Sequence, residues 1–524
     1  MKNYIYKKKN GLLSLLISAL SVYVYRNTLT DIGIGYAACA YLICITIWML
    51  LGYGFSDVLM RMVRARLTKG QKSNALNILS ASLVNQFVTG IVGAALCAIV
   101  THNLMSGLLG LPKGRFLGCY LCVCFFFRMI NEYLTGYASV SSGDKAVCIA
   151  SVLRELFRII TGFLFMNMMH DQGIIASTLL MDDELRYIYA ASGLFIGFCV
   201  TEILIFVFLF IVRLGLKLKS RGEYESYDTR DKAPAIFLNL WKKRIGNIIH
   251  GLAFCAFLIF VLSTVHDASV LGMAVCALMA PFAFSVILAL YCGTQASVSW
   301  IGSVRKNEKG LARAYFDYGI HIVVISSVFC TAFFASVSKL VNRILLPEPG
   351  MSVSVELIVL LLASIFFSMA LFSDQLCAMR DDRIPRIIAD AAACLLGILS
   401  VKLCSNAGQG FSRTLMITVI VYSAASMICW CVITYVRLSM VFDPLRNILI
   451  PVVAGAVTAI FLLLITNAAA AHLGNFFTLL MCIPIGLIIY HSVLLLLRNY
   501  SDSELKLMPL GGVLYSLGQI LKVM

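Results

Sequence analysis

Gly54–Ala75 reads GFSDVLMRMVRARLTKGQKSNA, and Gly293–Ala314 reads GTQASVSWIGSVRKNEKGLARA. Both leave a small or polar helix end and run through a basic amphipathic segment. Both close on Lys-Gly, at Lys69-Gly70 and Lys309-Gly310, ahead of an alanine, with the second copy displaced by about 240 residues. A second pair keeps nearly the same displacement: TGYASVSSGDKA from Thr135 and SDQLCAMRDDRI from Ser373, each a polar helix end with acid then base at the turn. Two pairs at one displacement point to duplication of a six-helix unit. An even number of spans separates the copies, so they share orientation. That predicts parallel repeats about an axis along the membrane normal, with a substrate site expected between them.

The composition around these repeats excludes an ordinary soluble protein. Of 524 residues, 60% are apolar and only 13% charged, with a formal net charge of +16. Soluble domains average about a quarter charged, and this apolar content suffices for about fourteen spans of ~21 residues each. The expected fold is an all-α integral membrane protein of about fourteen transmembrane helices, two six-helix lobes plus two C-terminal helices. Apolar runs place spans near 11–30, 32–56, 74–100, 116–140, 146–168, 187–212, 246–265, 269–292, 312–337, 353–377, 385–404, 412–436, 446–467 and 474–497. The expected organisation is an N-terminal lobe over 1–213, a linker over 214–244, a C-terminal lobe over 245–438, an extra helix pair over 439–498 and an amphipathic tail over 499–524.

Basic residues alternate from one connection to the next, rich at Arg61–Lys72, Lys217–Arg244, Arg305–Arg313 and Arg380–Arg386, sparse between. Lys and Arg in short loops stay cytoplasmic, so both termini are expected in the cytoplasm, and the basic balance reports topology, not nucleic-acid binding. The run from Lys217 to Lys243 mixes both signs around Gly222 and Pro234, as a solvated linker does. Lys7-Lys8-Lys9 ahead of an apolar run reads as a retained first helix, because a second span follows at once. Asp57–Lys72, with Leu59, Met60 and Val63 as its stripe, is expected to lie on anionic lipid. The eighteen cysteines fall within apolar runs as core-filling thiols, and no metal-ligand spacing accompanies Cys119/Cys122.

Ionisable groups at membrane depth cost several kcal/mol, so each is functional or locally paired. Arg128 and Glu132 stand four apart, and Glu155 follows Arg154 and precedes Arg158 by three, so both helices can neutralise charge along one face. Glu202 has no basic neighbour one turn away, so it must be protonated, meet another helix or face water. Arg26 and Asp31 either snorkel to the headgroups or line a cavity. No HExxH, GxSxG or Walker loop occurs. The longest expected outer loop, Asn167 to Arg186, is too short for the catalytic loop of a glycan polymerase or ligase.

The stretch YRNTLTDIGIGYAACAY, Tyr25–Tyr41, resembles the first-to-second-helix region of the stage V sporulation protein B and polysaccharide-transporter group. The resembling elements are Tyr25-Arg26, Gly33-Ile34-Gly35 and Ala40-Tyr41. Lys69-Gly70, Gly136-Tyr137, the Glu155/Arg158 helix and the tail SDSELKLMPLGGVLYSLGQILK extend it along the chain. The resemblance implies the multidrug/oligosaccharidyl-lipid/polysaccharide exporter superfamily, two lobes and alternating access. It further implies a transporter, not an enzyme, in a bacterial cytoplasmic membrane. Its cargo would be an undecaprenyl-pyrophosphate-linked glycan or similar anionic lipid, driven without ATP hydrolysis by Na+, H+ or the membrane potential. No cofactor or metal is expected; envelope glycan-synthesis enzymes are possible partners. A diphosphate cannot cross hydrocarbon unpaired, and Arg26, Asp31, Arg244 and His250 are the expected cavity residues. A cation-coupled multidrug exporter is the alternative.

Overall fold

The computed structural model describes residues 2–141, 143–216, 231–345, 354–380, 382–438, 443–501, 504–505 and 511–520. Among these every regular element is helical. The chain divides into two compact units, Met1–Val275 and Cys276–Met524.

The first unit contains α1 (Lys2–Leu51), α2 (Phe55–Leu67), α3 (Lys72–Asn103), α4 (Leu117–Val140), α5 (Asp144–Leu180), α6 (Glu184–Gly215), α7 (Ala233–Leu262) and α8 (Ala268–Ala274). The second contains α9 (Ala280–Arg305), α10 (Lys309–Leu345), α11 (Ser354–Arg380), α12 (Arg383–Asn406), α13 (Phe411–Ile433), α14 (Ile450–Leu473), α15 (Asn475–Leu496) and α16 (Gly511–Ile520). A π-helical turn, Val275–Met279, continues α8 into α9. Twelve helices among the described residues are long and apolar enough to cross a membrane. The charged but 37-residue α5 and the first arm of α1 complete the fourteen expected segments. The protein is a multi-pass membrane protein with the expected all-α fold.

Several local expectations change. The break expected near residue 31 is a backbone kink inside α1, at Thr30, whose φ of 54° is rare for a β-branched residue. The stripe of α2 is not on lipid: Leu59 and Val63, with Phe55, Val58 and Leu67, are buried in a core shared with Tyr133, Leu134, Ile236 and Leu240. Protein apolar surface covers Leu59 and Val63 of that stripe and leaves Met60 half-buried, while Arg61, Arg64 and Lys69 are exposed along with Asp57, Ala65 and Thr68.

The expected outer loop from Asn167 to Arg186 is mostly helix. α5 runs to Leu180, and only Met181–Asp183, opening on Met181 with φ of 52°, turns the chain into α6. Lys242, Lys243 and Arg244 also leave the linker. Pro234 preorganises the first turn of α7, and Ile236, Leu240, Arg244 and Ile248 recur every fourth residue on its buried face. The start of α7 is fixed by Asp231. Arg66 Nη2 donates to its carboxylate at 2.8 and 3.0 Å, Asn77 Nδ2 donates to its carbonyl at 2.7 Å, and its N–H donates to Asn74 at 3.2 Å. Residues 217–230 of the expected linker lie outside the described residues.

Candidate functional site: the charged interior of the first unit

Helices α4, α5 and α6 are apolar enough to pack together, yet each carries ionisable groups inward, and they converge on Glu202. That side chain is fully buried. Its Oε1 meets Arg154 Nε at 3.1 Å, Arg158 Nη2 at 3.2 Å and Arg128 Nη1 at 3.4 Å. Its Oε2 accepts from Asn131 Nδ2 at 2.8 Å, and Asn131 also donates to its main-chain carbonyl at 3.0 Å. Of the three possibilities for Glu202, the structure realises contact with other helices.

The pairs expected along single helices are present too. Arg128 Nη2 lies 3.3 Å from Glu132, and Arg158 Nη1 lies 3.3 Å from Glu155. Ser18 on the first arm of α1 donates to Glu155 at 2.9 Å, and Tyr25 donates to the Arg158 carbonyl at 2.8 Å. Arg158 also sits over the Phe198 ring and Arg128 over Trp48. Three guanidiniums thus face three carboxylates, and the cluster is balanced. Such mutual neutralisation satisfies buried charge but leaves no surplus with which to hold a charged cargo.

The four expected cavity residues do not form one group. Arg26, 7% exposed, donates through Nε and Nη2 to Asp31 Oδ1 at 3.1 and 3.0 Å across the Thr30 kink. Arg244 lies at the other end of the second arm of α1, where its Nε donates to the Tyr53 carbonyl at 2.9 Å. Twenty or so helical residues separate the two places, about 30 Å at 1.5 Å per residue. His250 is half-buried on α7, six residues beyond Arg244 and so on a different helix face.

Arg244 differs from the other arginines. It is fully buried between Trp241 and Phe55, whose ring centroids lie 5.1 and 5.9 Å from its Cζ, and neither Nη1 nor Nη2 has a hydrogen-bond partner among the described residues. A guanidinium has five donors in a fork matched to carboxylate or phosphate oxygens. Here one donor is used and the two ends of the fork are open.

The Asp31 end is closed by packing and by surface charge. α1 and α8 cross so closely that a Cβ on Gly35 would lie 1.9 Å from the Ala268 carbonyl oxygen, and one on Gly272 1.8 Å from that of Asp31. Asp267 caps α8 by accepting from Ser269 N–H at 2.8 Å. Nearby, Lys113 Nζ lies 2.7 Å from Asp182 and 3.0 Å from Glu184, which accepts from Tyr36 OH at 3.2 Å. The hydrogen bond from Lys113 holds the Asp182 carboxyl below its ordinary 3.8, and the same bond holds the Lys113 ammonium above 10.5.

The second unit holds a buried pair that sequence reasoning missed, Asp374 of α11 with Arg386 of α12. Arg386 reads in the sequence as a cytoplasmic turn residue beside Arg380 and Arg383. An acid twelve positions earlier, on the preceding helix of a hairpin, was the available signal.

No protein-family model and no curated protein sequence matches the chain. Solved structures match at the level of fold. A lipid II flippase MurJ in an inward closed conformation aligns at TM-score 0.65 and 13% identity, over 94% of this chain and 99% of that one. An inward-facing multidrug resistance MATE family transporter of the MOP superfamily aligns at 0.60 and 13%, over 87% and 98%. A MOP superfamily transporter from Pyrococcus furiosus, described by the reverse polarity of its binding pocket, aligns at 0.58 and 14%, over 88% and 96%. The chain has the fold of these transporters.

Proposed function

We propose that the protein is a flippase that moves an undecaprenyl-pyrophosphate-linked sugar or oligosaccharide across a bacterial cytoplasmic membrane. The observation that carries this reading is the buried Arg244 fork with two open ends. An anionic headgroup arriving from the cytoplasm meets Arg244 at the inner end of α1, while its lipid tail stays in the bilayer. Arg26, released from Asp31 at the outer end, receives it there. Bidentate arginine contacts are charge-assisted and stronger than neutral hydrogen bonds, which suits a diphosphate leaving water. An ion gradient, Na+ or H+, or the membrane potential drives the cycle, and envelope glycan-synthesis enzymes supply and consume the cargo. The shared fold with a lipid II flippase supports the reading. A cationic drug would want unneutralised carboxylates, whereas in the charged interior of the first unit Glu132, Glu155 and Glu202 all have guanidinium partners.

The test is a flipping assay in liposomes with lipid-linked glycan. Arg244→Ala is expected to lose transport and Arg244→Lys to fall between it and the parent, since it keeps charge and loses the planar fork. Arg61→Ala, on the exposed face of α2, is expected to transport normally. Full activity of Arg244→Ala overturns the assignment.

A further inference from the structure

The second unit ends in a polar knot that transport of an anionic lipid does not require. Beyond α15 the chain reverses at Arg498, whose φ is 51°, and runs back over α10. There His321, 1% exposed, lies between two tail side chains: its Nε2 is 2.9 Å from Asn499 Nδ2 and its Nδ1 is 3.5 Å from Glu504 Oε1. Glu504 is held from three further directions. Arg446, at the entrance to α14, pairs with Oε2; the Ser501 N–H donates to Oε2 at 2.9 Å; and Ser501 Oγ accepts from the Glu504 N–H at 3.3 Å. This is the reciprocal pairing of a capping box, so the acid that closes this turn is the acid that meets the histidine. Tyr500 completes the seat by sharing a 2.7 Å hydrogen bond with His491 of α15.

The charges facing His321 come from every side of this seat. On α10, Asp317 stands one turn before it, with a buried oxygen that has no hydrogen-bond partner among the described residues, and Tyr318 is adjacent. The tail brings Asn499, Tyr500 and Glu504; the α14 entrance brings Arg446; α15 brings His491. Burial raises the Glu504 carboxyl, but the His321 hydrogen bond and then the Ser501 N–H outweigh it and leave the group below its ordinary 4.5, a carboxylate. Arg313 and Asp443 share the electrostatic neighbourhood of Asp317; counted as ionised, Asp317, Glu504 and Asp443 against Arg446 and Arg313 sum to one negative charge, and a proton on His321 brings the sum to zero. Asn499 follows either state, because a half-turn of its amide presents N–H or oxygen to Nε2.

We propose that the C-terminal tail is a proton-dependent latch, in which Glu504 closes on His321 of α10 when the imidazole is charged and loosens when it is neutral, while Asn499 bonds Nε2 in either state. Imidazoles change charge within the physiological range, so one proton is enough to work the latch. Release frees the segment that bridges α10, α14 and α15.

Hydrogen exchange on the full-length protein in detergent tests this, with protection of residues 499–501 and 504–505 corrected for the intrinsic pH dependence of exchange. The parent is expected to lose protection by up to about tenfold per pH unit as pH rises from 5 to 8.5, the limit for linkage to a single proton. His321→Gln, neutral throughout, is expected to show no such slope, and Glu504→Gln a reduced one. If His321→Gln fails to fold, Asn499→Ala, which leaves the histidine in place, is expected to lower protection while keeping the slope. A parent with pH-independent protection, or a His321→Gln protein that keeps the parent's slope, overturns the latch.

Discussion

Arg26 and Asp31 form an ion pair that a regular helix forbids. Residues five apart lie on different faces of an α-helix, and only the Thr30 kink turns the Asp31 carboxylate back onto the guanidinium, at 3.0 and 3.1 Å. Pair and kink are therefore interdependent: the pair offsets the cost of a left-handed threonine, of order 1–3 kcal/mol, and the kink creates the pair.

Arg26→Ala and Asp31→Ala should each destabilise the protein, toward the lower end of the ~3–5 kcal/mol range for breaking a buried pair, because Asp31 is partly solvated. The double variant should recover most of the loss in a thermal unfolding assay. Transport separates structure from cargo binding: a stable double variant that still fails to flip lipid-linked glycan places Arg26 on the route, and one that flips it normally removes Arg26 from it.

Glu202→Gln leaves three guanidiniums around a neutral amide and should cost about 3–5 kcal/mol. Adding Arg154→Met, which removes one stranded charge and keeps much of the volume, should restore part of the lost melting temperature. No recovery would mean that Arg154 is not electrostatically tied to Glu202.

Gly272→Ala drives a methyl group to within 1.8 Å of the Asp31 carbonyl oxygen, which is backbone and cannot rotate away. α1 and α8 must separate, at a cost of about 1–3 kcal/mol or more. Gly302→Ala on α9, where a Cβ meets nothing within 4 Å, should be neutral or slightly stabilising. Equal unfolding temperatures for the two variants would contradict the close crossing.

The Lys113 clamp gives a pH signature. The Asp182 carboxyl is depressed in the folded protein, so its contribution is fully present above 3.8 and is lost as pH falls through the lower folded value. Lys113 is raised, so its share is present below 10.5 and is lost only above it. Between pH 5 and 9 Asp182→Asn should therefore lower stability by a constant small amount, about 0–1 kcal/mol for so exposed a pair. The gap to the parent should narrow below pH 4, and a gap that opens instead with acid would show that the pair is not formed.

The spans were legible because apolar runs of membrane length have few other uses, and the Arg128/Glu132 and Glu155/Arg158 pairs because one helix turn brings them together. The partners of Glu202 were not legible, since Arg128, Arg154 and Arg158 reach it from other helices, 44 to 74 positions away. Arg244 entered the expected cavity through the family resemblance, but its place on a buried helix face was masked by Lys242 and Lys243, whose charges make the stretch read as solvated, while the fourfold spacing of Ile236, Leu240 and Ile248 shows the inward face only once a helix is assumed. For α2, sequence gives the amphipathicity but not whether lipid or protein covers the apolar side.

The charge balance around Glu202 has an electrical consequence. A rigid group of three guanidiniums and three carboxylates carries no net charge, so when α4, α5 and α6 shift together along the membrane normal, the field across the bilayer does almost no work on it. Arg244 has no such counterweight in hydrogen-bond contact, and moving its unit charge through the full field is worth about 2.3 kcal/mol per 100 mV. A diphosphate diester has one ionised oxygen on each phosphorus, so filling the open fork with it reverses the sign of that charge. The empty and loaded carriers would then respond to voltage with opposite signs, so the same field would favour opposite movements of the two.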